Sequence, residues 1–301
     1  MHAEIQVVDL PILIEKQVSL HIKREDLLHP LVSGNKLRKL KYNLIAAKAA
    51  GHTTLLTFGG AFSNHIAATA YAGKLHGLKT VGVIRGKELA QKWHENPTLK
   101  MASEQGMRFC FVPRHAYRNK QEPSFLLQLE AQFGRFYHLP EGGSNSLAVQ
   151  GCEEILGATD AGFDVIASAV GTGGTVAGII KGSLEKQRVL GFPALRGDFL
   201  KEDIRKFVRK ENWELQTDYH FGGYAKVTEE LILFINDFKK KTQIGLDPIY
   251  TGKMVFGLLD MVKENRFRPH TKLLAIHTGG LQGIVGMNVN LKKKNLPLID
   301  I

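Results

Sequence analysis

The chain has 301 residues, a length that fits either one large domain or two domains of medium size. Its 44% hydrophobic and 23% charged residues are ordinary for a globular protein that needs no disulfides. The two cysteines, Cys110 and Cys152, have no metal-ligand spacing and are expected to be buried small residues of a reducing compartment. No apolar run approaches the roughly 20 residues needed to cross a bilayer, and the N-terminus lacks the pattern of a secretory signal. We therefore expect a cytoplasmic protein that does not act in a membrane.

The net charge of +11 raises the question of nucleic-acid binding. The basic residues are scattered, however, and the two dense lysine runs at 239–241 and 292–294 have no interleaved aromatic residues. We interpret these runs as solvated helix faces and expect no nucleic-acid partner. A basic surface instead favours small anionic ligands such as phosphates and carboxylates.

Apolar runs rich in β-branched residues alternate with helix-like spacing along the chain. In chain order, the pattern predicts a strand at 19–23, a helix at 37–50, a strand at 53–58, a helix at 64–76, a strand at 79–84, a helix at 97–105, a strand at 107–112, a helix at 124–132, a strand at 135–139, a helix at 147–156, a strand at 164–169, a helix from 175, a strand at 187–191, helices at 201–209, 228–240 and 253–264, and a strand at 271–276. Such alternation is typical of an α/β fold with a mostly parallel sheet flanked by helices.

The number of predicted strands fits two lobes better than one. A polar, glycine-rich connection at 141–146 is a suitable crossing between the lobes. We therefore predict a large domain formed by residues 1–42 with 144–301 and a small domain formed by residues 43–143.

The tetrapeptide Ser33-Gly34-Asn35-Lys36 places a lysine directly after a turn-forming triplet and before a helix-like run. Ser, Gly and Asn favour turns and helix caps, and glycine accepts backbone angles that a Cβ forbids. Such a turn can hold a lysine at a helix start, partly removed from water, where it loses its proton more easily and attacks a carbonyl carbon. The alternative is a solvated lysine, as most lysines near helix starts are.

Three strand-to-helix joints are rich in glycine, and ligands of open α/β sheets bind at such joints. The first joint, residues 59–65, reads Gly-Gly-Ala-Phe-Ser-Asn-His, and its backbone N–H groups can bind a carboxylate or a phosphate. In the alternative interpretation, Ser63 or Asn64 only caps the helix, and the spacing alone does not decide between the two. We interpret His65 as a structural residue of the helix.

The second joint, Gly171-Thr172-Gly173-Gly174-Thr175, follows a buried strand and opens a helix, as a phosphate cradle would. It is not a dinucleotide fingerprint, because Val176 takes the place of the third glycine, and it lacks the Gly-Lys-Ser/Thr of a Walker A loop. The joint therefore suits one phosphate better than a pyrophosphate. A tight turn without a ligand is the alternative.

The third joint, residues 277–280, again follows a predicted strand, and a rigid turn at 247–253 carries Tyr250. In the alternative interpretation, Tyr250 is an aromatic residue that packs in the core, and Lys253 is solvated. His94-Glu95 lacks the second histidine of H-E-x-x-H, and residues 142–146 lack the last glycine of G-x-S-x-G. The sequence therefore predicts neither a metal site nor a serine nucleophile.

In this order, the motifs resemble those of the pyridoxal-phosphate enzymes of the tryptophan synthase β-like fold (fold type II). The branch they match best holds 1-aminocyclopropane-1-carboxylate deaminase and D-cysteine desulfhydrase. The matching segments are spread over most of the chain, at 23–26, 33–39, 59–65, 171–178, 250–253 and 277–280. Their order and spacing together are specific, whereas each segment alone is not.

The resemblance implies roles in binding pyridoxal 5'-phosphate. Lys36 would form the Schiff base with the cofactor aldehyde and then transfer the proton. The backbone of 171–175 would hold the phosphate, and Asn64 would donate a hydrogen bond to the phenolic oxygen. Deaminases of this branch resemble one another in a Glu after the tyrosine and a Leu before the terminal Gly-Gly. Here these positions are Thr251 and Thr278, the pair that resembles desulfhydrases.

The resemblance also implies roles in substrate binding. Ser63, with the N–H groups of Asn64 and His65, would hold the substrate carboxylate. Tyr250 would lie near the cofactor ring and position or deprotonate the substrate. Tyr224 matches a second active-site tyrosine more loosely, because its flanking residues differ.

The threonine pair favours one reaction over another on physical grounds. A Glu against the pyridine nitrogen would keep it protonated and strengthen the electron sink, which the opening of a cyclopropane requires because it has no good leaving group. Expulsion of a thiolate requires a weaker electron sink, since the leaving group carries the negative charge away. We therefore expect α,β-elimination from a small D-amino acid, with D-cysteine giving sulfide, ammonia and pyruvate, and the argument also admits β-chloro-D-alanine and D-serine.

Two alternatives stay open: a 1-aminocyclopropane-1-carboxylate deaminase, and a homologue that binds pyridoxal phosphate without turnover. The family also suggests a homodimer. The chain is somewhat short for the family, and residues 196–218 match no motif, which leaves the substrate preference undecided.

Overall fold

The structure is a computed structural model that describes residues 2–29, 32, 34–197 and 199–300. Ser33, which opens the tetrapeptide described above, lies outside the described residues. The strands are β1 (Ile5–Val8), β2 (Ser19–Lys23), β3 (Thr54–Gly59), β4 (Lys79–Arg85), β5 (Met107–Val112), β6 (Tyr137–Leu139), β7 (Val165–Val170), β8 (Arg188–Pro193), β9 (Trp213–Leu215) and β10 (Lys272–Ile276). The helices are α1 (Pro11–Glu15), α2 (Asn35–Ala49), α3 (Asn64–Leu75), α4 (Pro97–Glu104), α5 (Arg114–Arg118), α6 (Pro123–Phe133), α7 (Ser146–Glu153), α8 (Gly174–Gly182), α9 (Phe199–Arg205), α10 (Glu229–Thr242), α11 (Thr251–Lys263) and α12 (Gly283–Lys293).

The strands form two sheets. The larger has the order β1-β2-β10-β7-β8-β9, and its pairs are parallel except for the edge strand β1, which runs antiparallel to β2. The smaller has the order β5-β4-β3-β6, with parallel pairing between all neighbours. The predicted α/β fold with two mostly parallel sheets is confirmed.

The strands of the smaller sheet lie between Thr54 and Leu139, and those of the larger sheet lie before and after that stretch. We propose on this ground that residues 43–143 form a small domain and that residues 1–42 with 144–301 form a large one.

The central strands are buried along their length because helices cover both faces of the sheet. All six residues of β7 are buried, and so are all six of β3. One apolar cluster joins β7 and β10 to α10 and α11, and a second joins them to α7 and α8 on the other side. This double coverage explains why the strands appear in the sequence as continuous apolar runs. Among the described residues, no helix has the length and apolar character needed to cross a membrane.

Several short elements were absent from the sequence prediction: β1, α1, α5 and β9 have three to five residues each, too few to show a period. Helix α12 was also missed, because its sequence GIVGMNVNLKK combines glycine, asparagine and β-branched residues that form helices poorly. Of the two cysteines, which are both free thiols, Cys152 is buried as expected, whereas Cys110 is only half-buried.

Buried ion pairs fix the segment before α2. Lys23 Nζ lies 2.5 Å from Asp160 Oδ2, and both side chains are almost fully buried. Arg38, in the first turns of α2, donates to both carboxylate oxygens of Glu25 at 2.9 Å. A buried charge without its partner is costly, so these pairs define where α2 lies.

Helices α2 and α7 pack so closely that a side chain at their contact would collide with the backbone. A Cβ on Gly151 would lie 2.0 Å from the carbonyl oxygen of Arg38. We expect Gly151→Ala to lower the free energy of unfolding by about 3 kcal/mol, because α2 must move to accept the methyl group. Denaturant unfolding measures this change.

The matched control is Gly162→Ala, since a Cβ at the exposed Gly162 meets nothing within 4 Å. It should change the free energy of unfolding by less than about 0.5 kcal/mol. Equal effects of the two substitutions would contradict the close packing of α2 on α7.

Candidate active site

The lysine turn and the three glycine-rich joints converge at the carboxyl ends of the two sheets. Asn35 Nδ2 donates to Thr175 Oγ1 in the second joint at 2.7 Å, and Asn35 N donates to the carbonyl of Thr278 in the third joint at 3.3 Å. A Cβ on Gly280, also in the third joint, would lie 2.9 Å from Asn64 Nδ2 in the first. Segments far apart in sequence therefore surround one site.

Gly34 allows the lysine turn to lie directly on the third joint. Its φ of 61° is in the region that favours glycine, and a Cβ there would lie 2.0 Å from the carbonyl oxygen of Thr278. Helix α2 begins at the next residue, so this contact fixes the position from which the side chain of Lys36 projects.

Lys36 is partly buried, and its burial lowers its pKa to about 7, with a smaller contribution from the positive charge of Lys39. Its amine forms no hydrogen bond or ion pair with any residue that the structure describes. A substantial fraction of this lysine is therefore neutral at neutral pH, which is the form that attacks a carbonyl carbon.

Lys39 is a second buried lysine, one helical turn after Lys36. Its Nζ donates to the carbonyl of Gly142 and to Ser144 Oγ, both at 2.9 Å, and burial lowers its pKa to about 8. Ser144 Oγ in turn lies 2.5 Å from Thr172 Oγ1 in the second joint. Lys39 belongs to no motif that indicates this role, although its position three residues after Lys36 places both lysines on one face of α2.

The second joint has the geometry of an anion cradle. Helix α8 begins at Gly174 after Gly173, whose φ is 81°, and the N–H groups of its first turn have no carbonyl earlier in the helix to bind. A Cβ on Gly174 would lie 2.7 Å from Ser144 Oγ and 3.3 Å from Lys39 Nζ. Free N–H groups, threonine hydroxyls and a nearby ammonium form a donor set that fits a phosphate.

In the first joint, Ser63 is the N-cap of α3. Its Oγ accepts a hydrogen bond from the N–H of Ile66 at 3.4 Å, so the capping interpretation holds. The cap uses a lone pair and leaves the hydroxyl proton available to a ligand. The N–H groups of Asn64 and His65, in the first helical turn, have no helical acceptor and suit a carboxylate.

The imidazole of His65 is structural, as the sequence indicated. Its Nε2 lies 2.8 Å from Thr57 Oγ1, and that hydroxyl donates its proton to the carbonyl of Leu139 at 3.0 Å. Nε2 must therefore carry the proton, while the buried Nδ1 has no partner in the described structure. Burial lowers the pKa of His65 well below its ordinary value, and the charges of Lys36 and Lys39 add to this effect.

Tyr224 and Tyr250 lie side by side, with ring centroids 6.2 Å apart. Desolvation raises the pKa of both phenols, although Tyr224 stays 42% exposed, and for Tyr250 the neighbouring Tyr224 raises the pKa further. Asp247 fixes the turn below them by accepting the N–H groups of Ile249 at 2.9 Å and of Tyr250 at 3.0 Å. A Cβ on Gly171 would lie 3.1 Å from the Tyr250 ring, so this ring faces the second joint.

The two threonines predicted to face the cofactor differ in their bonding. Thr251 Oγ1 is fully buried, donates to Asp247 Oδ1 at 2.8 Å and accepts from the N–H of Asp247 at 2.9 Å, which uses its only proton. The hydroxyl of Thr278 forms no hydrogen bond with the described residues. Thr278 is thus the member of the pair that has a proton to donate.

Lys253 holds the segment that carries Tyr224. It is buried, not solvated, and its Nζ donates to the carbonyls of His220 and Gly223, each at 2.8 Å. Burial lowers its pKa to about 8, against the opposing effect of Asp247. Within the described ranges, no group of three or more His, Cys, Asp or Glu side chains is arranged to hold a metal ion.

Comparison with known proteins identifies the family to which the chain is similar. Residues 3–279 match the family described as pyridoxal-phosphate dependent enzyme. A Thermotoga maritima protein provisionally named as a 1-aminocyclopropane-1-carboxylate deaminase is 31% identical over 91% of this chain and 92% of its own length. The bifunctional D-cysteine desulfhydrase/1-aminocyclopropane-1-carboxylate deaminase of Arabidopsis thaliana, a mitochondrial protein, is 32% identical over 88% of this chain and 73% of its own.

Solved structures share the fold of this chain. The crystal structure of a homologue of 1-aminocyclopropane-1-carboxylate deaminase superposes with a TM-score of 0.82 at 28% identity, over 97% of this chain and 94% of the other. Threonine deaminase isoform 2 from Solanum lycopersicum shares the fold alone, with a TM-score of 0.66 at 16% identity, over 96% of this chain and 84% of the other.

The bonds of Lys253 predict a local effect of its removal. Lys253→Met takes away the donor to two carbonyls and should increase amide hydrogen exchange in residues 220–225. The control is Lys263→Met, which changes an exposed lysine at the end of the same helix and should leave that exchange unaltered. Unchanged exchange at 220–225 in Lys253→Met would show that Lys253 does not hold this segment.

Proposed function

Because the chain belongs to the family of pyridoxal-phosphate-dependent enzymes, we propose that it eliminates and deaminates a small D-amino acid, with D-cysteine as the substrate. D-cysteine and water would give sulfide, ammonia and pyruvate. The observation that carries the proposal is the amine of Lys36, whose pKa burial lowers to about 7 and which follows Asn35, a residue hydrogen-bonded to Thr175 of the anion cradle. Such an amine is needed both to bind a cofactor aldehyde and to move a proton at Cα.

The cofactor-binding residues follow from the site. Lys36 would hold the aldehyde carbon covalently, and the cradle of residues 171–175 would hold the phosphate, with Lys39 as a nearby positive charge. Asn64, whose amide faces Gly280, would donate to the phenolic oxygen. When bound, the cofactor supplies a sink for the electron pair left at Cα.

The remaining residues would orient the substrate and move protons. Ser63 and the N–H groups of Asn64 and His65 would bind the α-carboxylate, which aims Cα at Lys36. Only with its amine free again and neutral would Lys36 remove the α-proton; the Cβ–S bond would then break, and the sulfur would leave with the electron pair. Tyr224 and Tyr250, which stay protonated because burial raises their pKa, would stand next to the reacting carbons.

The threonine pair supports the choice of leaving group. Neither Thr251 nor Thr278 can place a carboxylate against the pyridine nitrogen, and only Thr278 has a proton to donate to it. A weaker electron sink suffices when a thiolate leaves, as it does from D-cysteine. The same holds for β-chloro-D-alanine, because chloride also leaves with its negative charge.

The relatives' names favour a second candidate, the deamination of 1-aminocyclopropane-1-carboxylate. The Thermotoga maritima relative carries that name alone, and the Arabidopsis thaliana relative carries both names. Turnover of this compound without sulfide release from D-cysteine would select it.

We propose in addition that the protein acts in the cytoplasm as a homodimer. Its two free thiols support a reducing compartment. The exposed Val285 and Val289, one turn apart on α12, are apolar side chains suited to a contact between subunits.

The proposal predicts both cofactor attachment and turnover. Purified protein incubated with pyridoxal phosphate should show the absorbance band of a Schiff base, form pyruvate and sulfide from D-cysteine, and carry the cofactor on Lys36 after borohydride reduction. Attachment to cofactor-free protein should become faster as the pH rises through about 7, because the neutral amine is the attacking form.

The control compares two lysines of α2. Lys36→Ala should abolish the band and the turnover, whereas Lys41→Ala, which changes an exposed lysine paired with Glu154, should preserve both. A normal band with no 2-oxo acid from D-cysteine, D-serine, β-chloro-D-alanine, L-cysteine or 1-aminocyclopropane-1-carboxylate would instead indicate a binding protein without turnover.

The different bonding of the two threonines predicts opposite phenotypes. Thr251→Val should lower the free energy of unfolding by about 2 kcal/mol, because the buried Asp247 loses a hydrogen-bond donor. Thr278→Val should leave unfolding nearly unchanged and reduce kcat for D-cysteine at least about tenfold, the effect of losing roughly 1.4 kcal/mol in the transition state. Full activity of Thr278→Val would show that the Thr278 hydroxyl takes no part in the reaction.

A further inference from the structure

The carboxyl edge of the smaller sheet presents polar groups from each of its strands. In the order of the sheet, Tyr117 follows β5, Arg85 ends β4, Gly60 follows β3, and Glu141 follows β6. The register aligns these ends, since Gly59 pairs with Ile84 and Arg85 with Val112. The edge therefore forms a wall beside the first joint of the site.

Arg85 is an exposed cation on this wall. Its Nη2 lies 3.7 Å from the position that a Cβ on Gly60 would take, so the guanidinium stands over the first joint. Its central carbon lies 5.7 Å from the ring centroid of Tyr117, a cation–π distance. It forms no ion pair or hydrogen bond with the part of the chain that the structure describes.

The other charges of the wall are already neutralised. Glu141 accepts the hydroxyl proton of Tyr117 at 2.8 Å, and Lys120 Nζ lies 3.2 Å from its second oxygen. Arg85 is thus the cation of this group that lacks a counter-ion. Burial raises the pKa of Tyr224, and both the hydrogen bond with Tyr250 and the charge of Arg85 oppose that rise.

We propose that Arg85 forms an anion subsite at the mouth of the active site and selects amino acids whose β-substituent is acidic, a thiol or a stronger acid. The α-carboxylate has its own donors, Ser63 and the first-turn N–H groups of α3, so Arg85 remains for the side chain. A thiol that leaves as thiolate gains negative charge facing this guanidinium. The inference rests on the proposed function, because it describes how that site chooses its substrate.

Aspartate and asparagine are the sharpest probes, since they have nearly the same shape and differ by one charge on the β-substituent. Binding of each to the holoenzyme is measured by calorimetry, with both enantiomers tested. We expect the wild-type protein to bind aspartate on the order of tenfold more tightly than asparagine, as one charge-assisted hydrogen bond allows. Arg85→Gln should remove this preference and leave the affinity for asparagine unchanged.

Two further variants sharpen the comparison. Arg85→Lys keeps the charge and should retain part of the preference for aspartate. Arg114→Gln changes another exposed arginine of the same lobe, one that is already paired with Glu88 at 3.3 Å, and should retain all of it.

Two results in the wild-type protein would overturn the subsite: equal affinities for aspartate and asparagine, or weak binding of both. A third is an equal loss of affinity for both probes in Arg85→Gln, which would assign Arg85 to the α-carboxylate. The same preparations are assayed for the Schiff-base band and for pyruvate from D-cysteine. A wild-type holoenzyme that passes those assays without preferring aspartate disproves the subsite alone, whereas absence of the band or of turnover in the wild-type protein disproves the proposed function.

Discussion

The chemistry of the site depends on the contact between Gly34 and the backbone of Thr278. This contact has no space for a Cβ, so it fixes the start of α2 against the third joint and keeps Lys36 partly out of water. Desolvation disfavours the charged form of an amine, which is why the pKa of Lys36 falls to about 7. The lowered pKa of Lys36 is therefore a product of backbone packing, and the buried ion pair between Glu25 and Arg38, two residues further along α2, supports that packing.

Lys36 and Lys39 share one face of α2, and the charge of Lys39 helps to lower the pKa of Lys36, but the two lysines meet different surroundings. Lys39 is tied to Gly142 and Ser144 behind the anion cradle, whereas the amine of Lys36 has no such bonds. An anion in the cradle would favour the charged form of Lys39, whose hydrogen-bond partner Ser144 contacts the cradle. Two lysines on one helical turn can thus differ in their bonding without any difference in residue type.

Much of the fold and part of the site could be predicted from the sequence. The strands, the main helices and the glycine-rich joints are local patterns, and the parallel sheets follow from their alternation. The partners Lys39, Lys253 and Asp247 could not be predicted, because their roles depend on contacts made only after folding. Lys253 shows the difficulty: a lysine in a turn sequence suggests a solvated residue, yet it is buried under the segment that carries Tyr224. The hydrogen bonds of Thr251 were equally hidden, since a threonine next to an active-site tyrosine gives no indication of where its proton goes.

The two lobes contribute different parts of the proposed reaction. The larger lobe supplies the cradle, Thr278 and the tyrosine pair, and the smaller lobe supplies the first joint and Arg85. A cofactor bound mainly by the larger lobe would keep its position when side chains at the carboxyl edge of the smaller sheet change. The edge residues end separate strands, so each can be replaced without altering the register of the sheet. Substrate preference in such a protein can therefore change through single substitutions on this edge, while the lysine turn and the cradle are constrained by the packing of both joints against α2.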